Sequence, residues 1–373
     1  MSRQPVVAPG PPVEDRMPLN GIDHLELYVG NAKQAAFYFC SGFGFREIAY
    51  AGLETGVRDR VSHVVRQGRI TLVLTGALSS DSEIAGHHHR HGDGMKVIAL
   101  SVPDADRAYR RALERGARGV AEPQRTEDEH GAVRLATVAT YGETVHTFVE
   151  RAGYAGAFLP GYAPRAGTTT GAGLLTVDHV VGNVALGHMQ EWVTFYEDVF
   201  DMTEMTRFTD EDIATEYSAL MSKVVADGKG RVKFPINEPA AGRRRSQIDE
   251  YLQYYEGAGA QHLAVATRDI VATVEHLAAR GVGFLRTPES YYDRVPDRVG
   301  EIAEDVADLR RLGILVDRDD EGYLLQVFTK PIGDRPTVFL EIIERHGARG
   351  FGEGNFRALF EAIERDQDAR GNL

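Results

Sequence analysis

The sequence predicts an α+β fold of two similar domains, each built from paired βαβββ modules, with an amphipathic helix at the C-terminal end. Three observations carry this expectation. The chain has 373 residues, whereas single domains usually hold about 100–200. Its two halves repeat one another. Within each half, short apolar strand patterns and amphipathic helix patterns follow in the same order.

The repeat sets the frame, because internal similarity decides the architecture before any local reading does. Ile22-Asp23-His24-Leu25, followed by Val29-Gly30-Asn31, is matched by Val177-Asp178-His179-Val180, followed by Val181-Gly182-Asn183. Phe37-Tyr38 and Phe43-Gly44-Phe45 are matched by Phe195-Tyr196 and Phe200-Asp201-Met202. Arg115-Gly116 runs to Pro123 with the same spacing as Arg280-Gly281 to Pro288, and Thr144-Val145-His146 parallels Thr337-Val338-Phe339. The copies are offset by about 155–165 residues, as expected of a diverged duplication. Four prolines among the first twelve residues and the absence of an apolar stretch predict a disordered tail over 1–20. The domains are then expected at 21–158 and 174–373, joined by a Gly/Pro/Ala/Thr-rich linker at 159–173.

The elements follow locally. Residues 23–29 are short, apolar and partly alternating, so they predict a strand. Residues 31–42 predict a helix with Asn31 as N-cap and Gly42 near its stop. Strands are expected at 69–75, 97–102, 133–140 and 145–150, the last two joined by the turn Tyr141-Gly142, and a helix at 104–115 closed by Gly116. The second half repeats the order: strand 176–183, helix 187–200, strands near 215–221 and 231–236, strand 262–267, helix 269–280, and strands 323–329 and 337–343. Phe356, Leu359, Phe360 and Ile363 recur at i, i+3, i+4 and i+7, the signature of a helix docking one apolar face.

Composition narrows the function. The formal net charge is −13, with a sequence pI near 5.5, so a basic face for nucleic acid is not expected. The single cysteine, Cys40, rules out an intrachain disulfide and fits a reducing, cytoplasmic setting; in Phe37-Tyr38-Phe39-Cys40 it reads as a structural thiol. No apolar run is long enough for a membrane span.

The duplication permits a comparison inside one chain. The second half places His179 on its first strand, His262 on a middle strand and Glu341 on its last long strand. The same places in the first half hold His24, Val97 and a residue near Thr147 or Phe148, so the first half has one potential ligand and the second has three. Two histidines and a carboxylate are the ligand set of a non-haem iron(II) oxygenase, binding one face of the metal and leaving positions open. Glu341 lies within Phe339-Leu340-Glu341-Ile342-Ile343, where an unpaired buried charge is costly and a partner is required. The histidine cluster His87-His88-His89-Arg90-His91 is read instead as a polar surface segment, since consecutive residues cannot all converge on one ion. Gln326 and Phe328 lie two apart on one strand and so share a face, which suggests a lined pocket.

Several segments resemble the 4-hydroxyphenylpyruvate dioxygenase family, whose fold is the vicinal-oxygen-chelate (glyoxalase-like) open half-barrel. They are TDEDIATEYSALMSKVVADGKGRVKFPINEP (209–239), SQIDEYLQYYEGAGAQHLAV (246–265), GYLLQVFTKP (322–331), PTVFLEIIERHG (336–347) and FGEGNFRALFEAIE (351–364). The resemblance runs from about Gly21 to the C-terminus and is most specific in the second half. It implies that His179, His262 and Glu341 bind Fe(II). It further implies that Phe328 and Phe356 sandwich the substrate ring, and that Ser218, Asn237 and Gln247 face its phenolic end. Gln261 and Gln326 would act beside the metal and the keto acid, with Asn355 next to Phe356. Phe356, Leu359 and Phe360 would belong to a lid.

The implied reaction takes 4-hydroxyphenylpyruvate and O2 to homogentisate and CO2, with no external 2-oxo acid. A homodimer or homotetramer is expected. The alternative chemistry is that of 4-hydroxymandelate synthase, which shares the metal ligands but, by resemblance, departs from Pro235-Ile236-Asn237-Glu238-Pro239 and has an aliphatic residue in place of Phe356. A non-catalytic binding protein of the same fold would lack the complete ligand set.

Overall fold

A computed structural model describes residues 17–168, 171–208, 219–240 and 245–371. Each half forms one run of strands in matching order. In the first half the order is Arg46–Ala51, Arg60–Gln67, Ile70–Ala77, Gly21–Tyr28, Gly94–Ser101, Val145–Glu150, Gly131–Ala139 and Gly119–Asp128. In the second it is Thr203–Phe208, Ala219–Ala226, Lys233–Ala240, Thr176–Asn183, Gly259–Ala266, Phe339–His346, Tyr323–Phe328 and Leu315–Arg318. The parallel and antiparallel senses also match, so each half is two βαβββ modules laid side by side. The halves meet where Ala260 pairs with Met95.

The repeated helices form where their caps and apolar faces predict. Asn31 accepts from the Gln34 N–H at 3.1 Å to open helix Ala32–Ser41, and Asp104 does the same for Ala105–Glu114 through Arg107 at 2.8 Å; each such cap stabilises by about 1 kcal/mol. Helix Met189–Phe200 buries Met189, Val193, Tyr196 and Phe200 at helical spacing. On the strands of the second half, Val180, Leu263, Leu340 and Ile342 belong to the main hydrophobic core. Their neighbours His179, Val181, His262 and Glu341 line a cavity instead. Strand alternation thus divides the sheet into a packed face and a functional face.

The bounds of several expected elements shift by a few residues. Strand Gly119–Asp128 escapes the sequence pattern because it is exposed along almost its whole length and carries no apolar alternation. Two expectations are corrected. Residues 17–20 are not a disordered tail: Met17 and Leu19 are buried and the Asn20 N–H bonds to the Ser101 carbonyl at 2.8 Å; residues 1–16 lie outside the described residues. Within the expected linker at 159–173, Ala163–Pro164 pairs with Arg46–Ala51 and Ala172 is buried. The histidine cluster is not a surface segment. It lies on helix Glu83–His91, and His87 and His91 are buried, because residues four apart share one helix face.

Candidate metal centre and its cavity

The three expected ligands converge. His179 sits on strand Thr176–Asn183, His262 on the antiparallel neighbour Gly259–Ala266, and Glu341 on Phe339–His346, which runs parallel to that neighbour. Ala264 lies in register with both His179 and Glu341, so the ligands project from three adjacent strands. His179 Nε2 is 3.2 Å and His262 Nε2 3.4 Å from the same oxygen, Glu341 Oε2. One ligand atom from each residue lies within 4.8 Å of the others. In the first half the register equivalents are His24, Val97 and Thr147, so that half lacks two of the three.

The electrostatics fit this arrangement. Burial pushes the Glu341 carboxyl up, but the charge and hydrogen bonds of His179, and then of His262, hold it at about 2. Burial also acts against the charged form of His179, yet Glu341 and Asp178 together raise its pKa. Burial lowers that of His262. The cluster therefore offers one carboxylate and two imidazole nitrogens at one point, a donor set that suits a divalent transition metal.

Two β-bulges shape the site. Val177 pairs with Val265 but His179 with Ala264, which leaves Asp178 as an extra residue. Likewise Val181 pairs with His262 and Gly182 with Ala260, which leaves Gln261 over. A bulge lets consecutive side chains turn to the same side, so Asp178 and Gln261 accompany the histidines they adjoin. His179 Nδ1 is 2.8 Å from Asp178 Oδ1, and His262 Nδ1 is 3.3 Å from Gln261 Oε1. Asp178 in turn accepts two bonds from Arg345, both at 2.9 Å, and one from Lys233 at 3.1 Å. Such a carboxylate fixes the imidazole tautomer and ring orientation. Sequence reasoning missed this support, although the signal was present: Asp precedes His in both repeats, and Arg151 binds Asp23 as Arg345 binds Asp178.

Around the cluster lies a cavity lined by Asn237, Gln247, Gln261, Gln326, Phe328, Phe356, Leu359 and Phe360 together with the three ligand residues. Phe328 stands opposite Glu341 in the ladder. Both polar atoms of the Gln326 amide are buried and lack a partner among the described residues. Phe339 stacks on His262 at 4.7 Å and Phe351 meets His179 edge-on at 5.1 Å; neither was singled out from sequence. Helix Phe356–Ala369 lines the cavity through Phe356, Leu359, Phe360 and Ile363, with the Phe356 ring against Phe208 at 4.8 Å. One expected residue falls elsewhere. Asn355 is buried away from the cavity, its Oδ1 accepting from the Tyr291 hydroxyl at 2.6 Å and from Arg298 at 3.3 Å, because a short 3-10 turn before the helix points it inward. Ser218 lies outside the described residues, while Ser222, paired with Asn237 across the ladder, lines the cavity.

Comparison with known proteins agrees with this architecture. The Glyoxalase/Bleomycin resistance protein/Dioxygenase superfamily matches residues 21–148 and 176–326, one stretch per half. A 4-hydroxyphenylpyruvate dioxygenase from Dictyostelium discoideum is 48% identical over 95% of this chain and 100% of its own length. One from Danio rerio is 47% identical, over 94% and 91% respectively. The chain belongs to the 4-hydroxyphenylpyruvate dioxygenase family. A mutant of 4-hydroxymandelate synthase from Streptomyces coelicolor superposes on this family member with a TM-score of 0.86, at 37% identity, covering 94% of this chain and 100% of that one. Family membership makes the chain a metal-dependent oxidoreductase, and His179, His262 and Glu341 form a cluster that could hold a metal ion. Among the described residues no helix is long and apolar enough to cross a membrane.

Proposed function

We propose that the chain converts 4-hydroxyphenylpyruvate and O2 to homogentisate and CO2, a step of tyrosine and phenylalanine catabolism, with Fe(II) held by His179 Nε2, His262 Nε2 and Glu341. The observation that carries this reading is the complete ligand cluster in the wall of an aromatic cavity that residues of the Phe356–Ala369 helix also line. When bound, the iron supplies the oxygen chemistry.

The chain's own residues do the rest. Two neutral imidazoles and one carboxylate leave a divalent ion with net positive charge, which favours an anionic oxo acid over a neutral phenol as the group drawn to that end. Gln261 and Gln326 offer amide donors beside it, and the unpartnered Gln326 amide gains a partner when a carboxylate or keto oxygen arrives. Phe328 and Phe356 bracket a flat ring through stacking or edge contacts. Asn237, Ser222 and Gln247 supply the polar end for a phenolic hydroxyl. The strand of Asn237 lies three strand spacings from that of Glu341, about 14 Å along the curved sheet and less across it. Leu359, Phe360 and Ile363 keep water away while the ring is held in place.

Hydroxymandelate formation is the second reading, because a mutant of its synthase shares the fold. Pro235, Asn237 and Phe356, the positions at which that activity is expected to differ, all line the cavity here and support homogentisate. The test is anaerobic loading with iron(II), addition of 4-hydroxyphenylpyruvate and then O2, and chromatographic separation of products. Homogentisate is expected. Hydroxymandelate as the main product would overturn the assignment in favour of the synthase, and neither product from iron-loaded protein would overturn the substrate.

A further inference from the structure

A second His/His/Glu cluster lies outside the dioxygenase cavity. His87 and His91 stand four apart on helix Glu83–His91, with exposures of 2% and 3%, and their ring centroids are 4.5 Å apart. Glu143, from the turn before strand Val145–Glu150, brings its Oε2 to 3.2 Å from His91 Nε2. One ligand atom from each of the three lies within 4.8 Å of the others.

The nitrogens are set up as ligands. His91 Nδ1 faces the Tyr255 backbone carbonyl, which assigns the proton to Nδ1 and leaves the Nε2 lone pair toward Glu143. This is the arrangement by which a carbonyl orients a metal-bound imidazole. Neither nitrogen of His87 has a hydrogen-bond partner among the described residues, and His91 Nε2 faces the Glu143 carboxylate. Buried polar atoms are nearly always satisfied, and leaving them bare costs free energy. Burial, helped by the nearby His91, Lys96 and Arg90, pushes the His87 pKa down to about 3, so its imidazole is in the neutral form that binds metals. The neighbouring cations are already engaged: Lys96 by Glu83 at 3.5 Å, and Arg90 by the other oxygen of Glu143. Glu143 Oε2 therefore stays directed at the histidines.

We propose that His87, His91 and Glu143 form a second binding site for a divalent transition cation of the Zn2+ type, distinct from the His179/His262/Glu341 centre and placed at the seam between the two halves. Two histidines at i and i+4 on one helix face plus a carboxylate give three of the four tetrahedral ligands that Zn2+ takes. The half-exposed Glu143 leaves the fourth position open to water. The site has a structural role. Its helix belongs to the first half, yet it is held by the second: by the Tyr255 carbonyl on His91, and by Arg335, which donates to the carbonyls of His89 and Tyr254 at 3.1 and 3.0 Å. A cation here ties that seam and raises the unfolding temperature by mass action.

The test is a Zn2+ titration of the metal-free full chain against a chromophoric chelator, with thermal unfolding followed in parallel. Two equivalents are expected for the wild type. Glu341→Ala removes one. His87→Gln with His91→Gln removes the other and abolishes the rise in unfolding temperature that survives in Glu341→Ala. His88→Ala with His89→Ala, which alters the two histidines of the run that lie outside the cluster, keeps both equivalents. Glu143→Gln, at a half-exposed position that folding tolerates, weakens the second equivalent at least tenfold. A single equivalent in the wild type overturns the proposal, as does a second equivalent whose affinity is unchanged in Glu143→Gln or that is lost with His88 and His89.

Discussion

Asp178→Asn separates metal orientation from simple stability, because the duplicated half carries its own control. Asp178 is 9% exposed and holds His179 Nδ1 at 2.8 Å, two nitrogens of Arg345 at 2.9 Å and Lys233 at 3.1 Å. The substitution keeps the shape and removes the charge. Arg345 and Lys233, 18% and 13% exposed, then lose their counter-charge. Removing one partner of a buried pair costs about 3–5 kcal/mol, and residual exposure places this case at the lower end. Weakening the support of a metal-bound histidine costs about 10–100-fold in metal affinity, or about 1.4–2.8 kcal/mol.

Asp23 is built the same way, 2.7 Å from His24 Nδ1 and 2.7 and 2.6 Å from Arg151, but its half lacks the other two ligands. Asp23→Asn should therefore lower stability by a similar amount and leave affinity at the His179 centre unchanged. Denaturant unfolding reads the first quantity and chelator competition the second. The reasoning is refuted if Asp178→Asn binds metal as tightly as the wild type, or if Asp23→Asn weakens the metal equally. In the second case the loss is one of fold rather than of orientation.

Other outcomes follow from the same geometry. Glu341→Ala should abolish tight metal binding at the His179 centre and turnover while leaving the circular dichroism of the folded chain intact; full activity would remove Glu341 from the ligand set. Metal affinity should rise with pH through and above 6.5, because His179 has a raised pKa and must release its proton to bind; chelator competition at pH 6 and 8 measures this, and a flat profile contradicts it. In the metal-free protein the sign is opposite. Stability from the His179–Glu341 pairing is present below His179's unfolded pKa and declines as pH rises through its raised folded value, while Glu341's share is present above the ordinary carboxyl value of 4.5 and is lost as pH falls from there through the folded value of about 2. Gly352→Ala should lower kcat, because Gly352 has φ +78° and a Cβ there would come within 2.7 Å of the Gln326 amide; it displaces that amide and strains the turn into the lid, and unchanged steady-state kinetics would contradict this. Phe356→Ala should reduce kcat/KM about tenfold, about 1.4 kcal/mol, by losing the ring that meets Phe208; an unchanged value would place the ring outside the substrate's reach.

Much of this protein is legible along the chain. The duplication, the strand and helix order and the one-against-three ligand count follow from residue types at fixed spacings, since side-chain direction in a strand repeats every two residues and in a helix every 3.6. The comparison of the two repeats, together with the family resemblance, singled out His179, His262 and Glu341, and strand periodicity placed Gln326 and Phe328 on one face. It failed where local rules give way to long-range contact. Alternation sends Asp178 away from His179, yet a bulge set by the neighbouring strand turns both the same way. Asn355 sits beside Phe356 in sequence, but a 3-10 turn buries it against Tyr291. The polar run at 87–91 hides two buried histidines, because Glu143 and Tyr255 reach them from distant parts of the chain. Residue types along the chain set which side chains could be ligands and on which elements they ride. Which carboxylate supports which histidine is fixed by strand register and bulges, which arise from pairing between segments far apart in the chain.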